Sequence, residues 1–191
     1  MMENKNTETQ DVLIVCALEQ ETNNKLDDWN VLYTGVGKVN ATYELTRHLT
    51  TQGLPKLVIN YGTAGSRNLP IGELVECNRF VQRDMDASGL GFPKGKTPFD
   101  ETPIVIGEGN LTVGTGDSFV EDVSTELSII DVFDMESYPL AKICNEFNIP
   151  FKSWKYITDN ADDASPKEWK ENLSDGIVKF KKILNKLVDE S

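Results

Sequence analysis

Two short acidic runs have the makings of an acid–base site, Asp134-Met135-Glu136 and Ile157-Thr158-Asp159-Asn160-Ala161-Asp162. Each stands where an apolar stretch gives way to polar residues. Ile129-Ile130-Asp131-Val132-Phe133 precedes the first, and Phe151-Lys152-Ser153-Trp154-Lys155-Tyr156-Ile157 leads into the second. A third carboxylate, Glu21, follows Val12-Leu13-Ile14-Val15-Cys16. Apolar runs this short read as buried strands. In an open α/β sheet the ligand crevice forms at the carboxyl ends of the strands. Three carboxylates at three such ends point to proton transfer on one small molecule.

The elements that must position these groups alternate along the chain. Strands are expected near Val12–Cys16, Val31–Tyr33, Lys56–Asn60, Gly72–Gln82, Pro103–Gly107, Asn110–Gly114, Ile129–Phe133 and Phe151–Ile157. Helices are expected at Asn40–Thr51, Asp117–Leu127, Ser137–Phe147 and Pro166–Val188. The last carries Trp169, Leu173, Ile177, Phe180, Ile183 and Leu187 at spacings of three or four, an amphipathic stripe, and opens on Ser165-Pro166. Strands interleaved with helices predict an α/β domain, a central mixed sheet in a three-layer α/β/α sandwich. Residues 11–191 form this one domain, and the polar residues 1–10 read as a disordered tail with no signal-peptide core. The Gly- and Pro-rich stretch Ala87 to Pro103 reads as a long loop, of a length that is usually functional or disordered.

Composition excludes several classes. A net charge of −12 in 191 residues argues against tracking nucleic-acid phosphates or an anionic membrane surface. No apolar run reaches the ~20 residues that span a bilayer. Cys16, Cys77 and Cys144 lack close spacing and fit a reduced, cytoplasmic setting. No cysteine pair has zinc-ligand spacing and His48 is the only histidine, so no metal site is expected. His48 lies among polar residues and reads as a surface side chain rather than a catalytic one.

Three glycine-rich segments each follow an apolar run: Thr34-Gly35-Val36-Gly37-Lys38, Tyr61-Gly62-Thr63-Ala64-Gly65-Ser66 and Gly114-Thr115-Gly116-Asp117-Ser118-Phe119. Glycines there let backbone approach a ligand, although turns use glycine anyway. Lys38 makes no P-loop, because the GxxxxGK[ST] spacing is absent. Taken in order, with Ala17-Leu18-Glu19-Gln20-Glu21, Val39-Asn40-Ala41, Asn60, Asp134-Met135-Glu136-Ser137 and Ile157 to Asp162, these blocks resemble the 5′-methylthioadenosine/S-adenosylhomocysteine nucleosidases of the purine nucleoside and uridine phosphorylase superfamily. The resemblance runs from Val12 to about Asp163. It departs from that family between Glu21 and Val31, where typical members carry an extra hairpin and this chain is short.

The resemblance implies a purine nucleosidase without metal or organic cofactor. Asp159 would protonate purine N7 as general acid. Glu21 would be the base for the attacking water, its rival reading being a solvated loop carboxylate beside Glu19 and Gln20. Glu136 would hold the ribose hydroxyls and stabilise positive charge growing on the sugar. Met135 would lie under the ribose, or fill the core. Phe119 would stack on the base, with the backbone of Val120 reading its edge. Thr63 and Thr158 would place hydroxyls beside the water and the acid, or merely satisfy a turn. Trp169, ten residues beyond Asp159, would stand at the pocket mouth or pack in the core. A homodimer is implied, with Leu90, Phe92 and Pro93 of the long loop as a lip for the partner's 5′ subsite.

Phosphorylases of the superfamily place an arginine just before the second glycine segment. Asn60 and Tyr61 stand there instead, offering phosphate no charge-assisted fork. A carboxylate at Glu21 would repel phosphate and suits water. The expected reaction is therefore hydrolysis of a 5′-modified adenine nucleoside. The alternatives are a hydrolase of aminofutalosine type, a purine nucleoside phosphorylase, and a non-catalytic nucleoside-binding module.

Overall fold

A computed structural model describes residues 11–123 and 127–189. The tail expected at residues 1–10 lies outside the described residues. Nine strands alternate with helices: β1 Val12–Cys16, α1 Glu19–Thr22, β2 Asn30–Tyr33, α2 Lys38–Gln52, β3 Leu57–Ser66, β4 Leu74–Cys77, β5 Arg79–Gln82, β6 Ile104–Val105, β7 Thr112–Thr115, β8 Val132–Asp134, α3 Ser137–Glu146, β9 Phe151–Asp159, α4 Ser165–Asn172 and α5 Ile177–Asp189. The expected α/β class holds, with a mixed central sheet between helical layers. Alternation along the strands sorts the two faces. Leu13, Val15 and Val58 pack with Ala41 and Leu45 of α2 and Leu140 and Cys144 of α3. Ile14, Cys16, Ile59 and Tyr61 face the other way, onto Ile177, Phe180 and Leu184 of α5. Tyr61 stacks on Phe180 with ring centroids 4.3 Å apart.

The sheet branches at β3. Strand order is β2-β1-β3-β8-β7-β5-β6, while β9 pairs with the opposite edge of β3 and then with β4. Parallel β1 covers Leu57 to Asn60 of β3, and antiparallel β8 covers Gly65 and Ser66 further along the same edge. Between the ends of β1 and β8 that edge of β3 is uncovered, and a crevice opens, in the manner of a topological switch point.

Several expectations are corrected. The stretch expected as one strand over Gly72–Gln82 is two strands, β4 and β5, divided at Asn78. Asn78 leaves the β4–β9 ladder there and bonds Leu111 and Ile106, so the chain crosses between the two arms of the sheet. The helix expected over Pro166–Val188 is broken into α4 and α5. A side chain at Gly176 would sit 2.3 Å from the Tyr156 ring, so the chain turns where glycine allows that approach. The helix expected over Asp117–Leu127 is absent among the described residues of that span. Its polar groups bond to other elements: Asp117 N–H donates to Asp84, the Ser118 carbonyl accepts from Arg83, and Asp122 bridges to Asp162. The second glycine segment is no turn but the continuation of β3 through Ser66.

Candidate active site

One cavity of about 210 Å³ occupies the crevice between β1 and β8. Eight of the expected site residues line it: Glu21, Thr63, Phe119, Val120, Met135, Glu136, Asp159 and Trp169. Thr158 does not line it. Its hydroxyl lies behind the site, 2.9 Å from Asp159 Oδ2 and 3.3 Å from the Ala64 carbonyl. Asp134 also lines the cavity, giving four carboxylates, and among the described residues no Lys or Arg lines it.

Each acid is placed by a distinct local device. Glu21 sits at the third position of α1, and its Oε2 accepts the Leu18 N–H at 3.0 Å, closing the helix start. Oε1 reaches β3 and accepts both the Thr63 N–H (2.8 Å) and the Thr63 hydroxyl (2.9 Å). The carboxylate is thus buried and fixed, not a solvated loop group. Glu136 follows β8, and Oε1 accepts the Gly37 N–H at 2.9 Å. Gly37 has φ +94, so the first glycine turn needs that residue to aim its amide at the acid.

Asp159 ends β9 at a bulge. Ala64 pairs with Ile157 but Gly65 pairs with Asp159, leaving Thr158 as the extra residue. Bulges re-aim side chains beside active sites, and here Asp159 turns toward the cavity. Oδ1 accepts the Ala161 N–H at 3.1 Å. A Cβ on Gly65 would lie 2.4 Å from that Oδ1, so glycine is what lets the carboxylate cross the strand.

Behind the cavity is a buried ion pair absent from the sequence expectations. Lys155 Nζ lies 2.8 Å from Asp134 Oδ2, both side chains being essentially unexposed. Asp134 also accepts from Thr115 (2.6 Å) and from the N–H and hydroxyl of Ser137 (2.9 and 2.6 Å). Burial alone would raise the Asp134 pKa. The Lys155 ammonium and these donors outweigh it and hold the carboxyl below its usual range. Burial likewise favours neutral Lys155, but Asp134 and Glu136 outweigh it and raise its pKa. Glu136 is pushed up to about 8, by burial first and then by the Asp134 charge. Alternation puts Lys155 on the same side of β9 as the buried Phe151, Ser153 and Ile157, although a lysine there names no partner. The missing side chain at Gly62, whose Cβ would meet Lys155 Nζ at 3.2 Å, is the one signal that makes room for it.

The rim is fastened by Lys38. Its Nζ contacts both Asp84 oxygens (2.5 and 2.7 Å), and its N–H donates to Asp117 at 2.9 Å. The first and third glycine turns are thereby tied together. Phe119 and Trp169 meet edge to face at the mouth, centroids 6.0 Å apart. Trp169 therefore leaves the core stripe, which continues without it through Ile177, Phe180 and Leu184. Tyr61 points away from the cavity onto Phe180, and Asn60 is occupied by Ser137, Ser153 and the Val15 carbonyl. The place where phosphorylases carry arginine thus offers the cavity no cation. His48 lies by Asp27 and Asp28 at the far end of α2, outside this cavity. Leu90, Phe92 and Pro93 do not line it either.

A branched mixed sheet with a carboxylate-lined crevice at the split defines a protein of nucleoside phosphorylase type. A model of the phosphorylase superfamily matches residues 24–112 and 111–190. A 5′-methylthioadenosine/S-adenosylhomocysteine nucleosidase of Marinomonas is 31% identical over 75% of this chain and 73% of its own. An aminodeoxyfutalosine nucleosidase of Helicobacter pylori is 28% identical over 84% of this chain and 80% of its own. The solved 5′-methylthioadenosine/S-adenosylhomocysteine nucleosidase of Helicobacter pylori superposes with a TM-score of 0.81 at 25% identity, covering 96% of this chain and 99% of that one. The chain belongs to the phosphorylase superfamily, and within it to the family of 5′-methylthioadenosine/S-adenosylhomocysteine nucleosidases.

Proposed function

We propose that the protein hydrolyses the N-glycosidic bond of an adenine nucleoside modified at its 5′ position, 5′-methylthioadenosine or S-adenosylhomocysteine, and releases adenine. The observation that carries this reading is the convergence of Glu21, Glu136 and Asp159 on one cavity that no cation among the described residues lines. Asp159 gives its proton to purine N7 as the bond from C1′ to N9 breaks and its electrons pass to the base. Glu21 takes a proton from the water whose oxygen bonds C1′. Glu136 accepts the ribose hydroxyls and stabilises the oxocarbenium character of the sugar. Met135 supports the ribose, and Phe119 stacks on the base beside the backbone of Val120. Thr158 orients Asp159. Phosphate, an anion, has no charged partner in the lining and would meet four acids.

The protein acts as a homodimer through the groove between α2 and α3, where Val39 is 78% and Tyr43 62% exposed. Solvent-facing apolar side chains clustered in one groove mark an interaction surface. The loop bearing Leu90, itself 74% exposed, would reach the partner's 5′ subsite from there. Three buried free thiols and the absence of a membrane-length helix among the described residues suit the cytoplasm.

Chromatography of products from methylthioadenosine, S-adenosylhomocysteine, aminodeoxyfutalosine, adenosine and inosine, each with and without phosphate, tests the proposal. Free adenine without phosphate from the first two is expected. Aminodeoxyfutalosine as the best substrate would move the assignment to the activity named for the Helicobacter relative. A requirement for phosphate would make it a phosphorylase. Binding of these nucleosides with no base released would make it a binding module. Asp159→Asn should abolish turnover and leave nucleoside binding measurable.

A further inference from the structure

We propose that Trp169 is a positioning residue for Glu21 and acts through the Thr63 hydroxyl. The inference rests on the reading of Glu21 as the base. Trp169 Nε1 donates to Thr63 Oγ1 at 2.9 Å, and Thr63 Oγ1 donates to Glu21 Oε1 at 2.9 Å. The three side chains come from α4, β3 and α1, brought together at the cavity.

The direction of the proton in the middle is set by elementary hydrogen-bond accounting. An indole N–H only donates, and a hydroxyl carries a single proton. Because Thr63 accepts from Trp169, its own proton has to point at another acceptor, and Glu21 Oε1 is the one within reach. Oε1 therefore receives two donors, this hydroxyl and the Thr63 N–H. Among the described residues, Oε2 receives the Leu18 N–H alone. The two carboxylate oxygens become unequal, and Oε2 is the one with capacity to take a proton from water. Without the indole, the hydroxyl is free to rotate and to accept from a water or from a protonated Glu21. The base would then have more than one orientation and more than one resting bond. Hydrogen bonds in such a chain also polarise one another.

Phe119 holds the indole edge to face, and an all-carbon aromatic would keep that packing. The N–H is what a phenyl ring lacks, so the packing role and the positioning role are separable. Trp169→Phe should lower kcat about tenfold, the worth of one hydrogen bond of ~1.4 kcal/mol. KM should stay within about twofold, since ground-state contacts remain. In a Thr63→Val background the same change should alter kcat by less than about twofold, because the relay is already cut. Thr63→Ser keeps the hydroxyl and should restore the full effect of Trp169→Phe. Should Trp169→Phe not fold, replacing the indole by the isosteric benzothiophene, which lacks the N–H, reads the same bond. Wild-type kcat in either variant overturns the proposal. So does a tenfold loss that persists unchanged in the Thr63→Val background, or one carried by KM. Glu21→Gln separates the two levels: if it turns over normally, the reading of Glu21 as base has failed. If it is dead while Trp169→Phe is normal, only the positioning role has failed.

Discussion

Gly65→Ala places a methyl group where the Asp159 carboxylate passes. The new Cβ would lie 2.4 Å from Asp159 Oδ1, 3.2 Å from its Cγ and 3.4 Å from Ala161 Cβ. The backbone has nowhere to retreat, because Gly65 is held between Phe133 of β8 and Asp159 of β9. The carboxylate must therefore give way by about 1 Å, out of its bonds to Thr158 (2.9 Å) and Ala161 (3.1 Å). Misplacing a reacting group by that much costs ~100-fold in rate, or ~2.7 kcal/mol of barrier. Gly62→Ala is the graded control. Its Cβ would meet Lys155 Nζ at 3.2 Å and Glu21 Oε1 at 3.4 Å, contacts that small shifts relieve, so its loss should stay below about tenfold. The assay is the initial rate of adenine release from methylthioadenosine over a range of concentrations. Far-UV circular dichroism melts would establish that each variant is folded. Folded Gly65→Ala with kcat within twofold of wild type would refute the reasoning, as would a larger loss in Gly62→Ala.

Three other expectations concern charge and assembly. Lys155→Met strands the buried Asp134 carboxylate and should cost about 3–5 kcal/mol in urea unfolding at neutral pH. Because the Asp134 pKa is depressed in the fold, the stability it contributes is lost as pH falls through its folded value, and that acid slope should be missing in the variant. Glu136 has the opposite sign. With its pKa pushed up to about 8, the folded protein keeps a proton that the unfolded chain has released, so stability should fall as pH rises toward 8. Accepting two sugar hydroxyls needs the ionised form, so KM should fall over the same range, and Glu136→Gln should flatten both profiles. Val39→Asp with Tyr43→Glu should convert a two-chain particle to one chain in sedimentation without altering the melt of the monomer. A wild type that sediments as one chain removes the dimer.

What the sequence disclosed and what it hid divide along one physical line. Periodicity reports burial, so β1, α2, α3 and the apolar part of β9 were legible. So were the acids at the strand ends, because Asp134, Glu136 and Asp159 interrupt apolar runs. Long-range pairing is invisible to periodicity. The change of ladder at Asn78 and the approach of Tyr156 to Gly176 each break an element whose local pattern is continuous. Residues 117–123 fall within an expected helix, yet their donors and acceptors are satisfied by Asp84, Arg83 and Asp162 from elsewhere. Lys155 falls in phase with the buried Phe151 and Ile157, but its partner is remote in the chain, and only the three-dimensional arrangement shows it against Asp134.

The extra residue in β9 has a consequence for anyone moving this chemistry to another scaffold. Side chains along a strand alternate between faces, so in a ladder running on regularly through Thr158 that threonine would take the place opposite Gly65, and Asp159 would move one step on and turn from the crevice toward the opposite side. The proton donor is thus specified by a count as much as by a residue type. A transplanted segment that preserves the aspartate but loses the irregular step would carry its carboxyl to the wrong side of the sheet, with every residue identity intact.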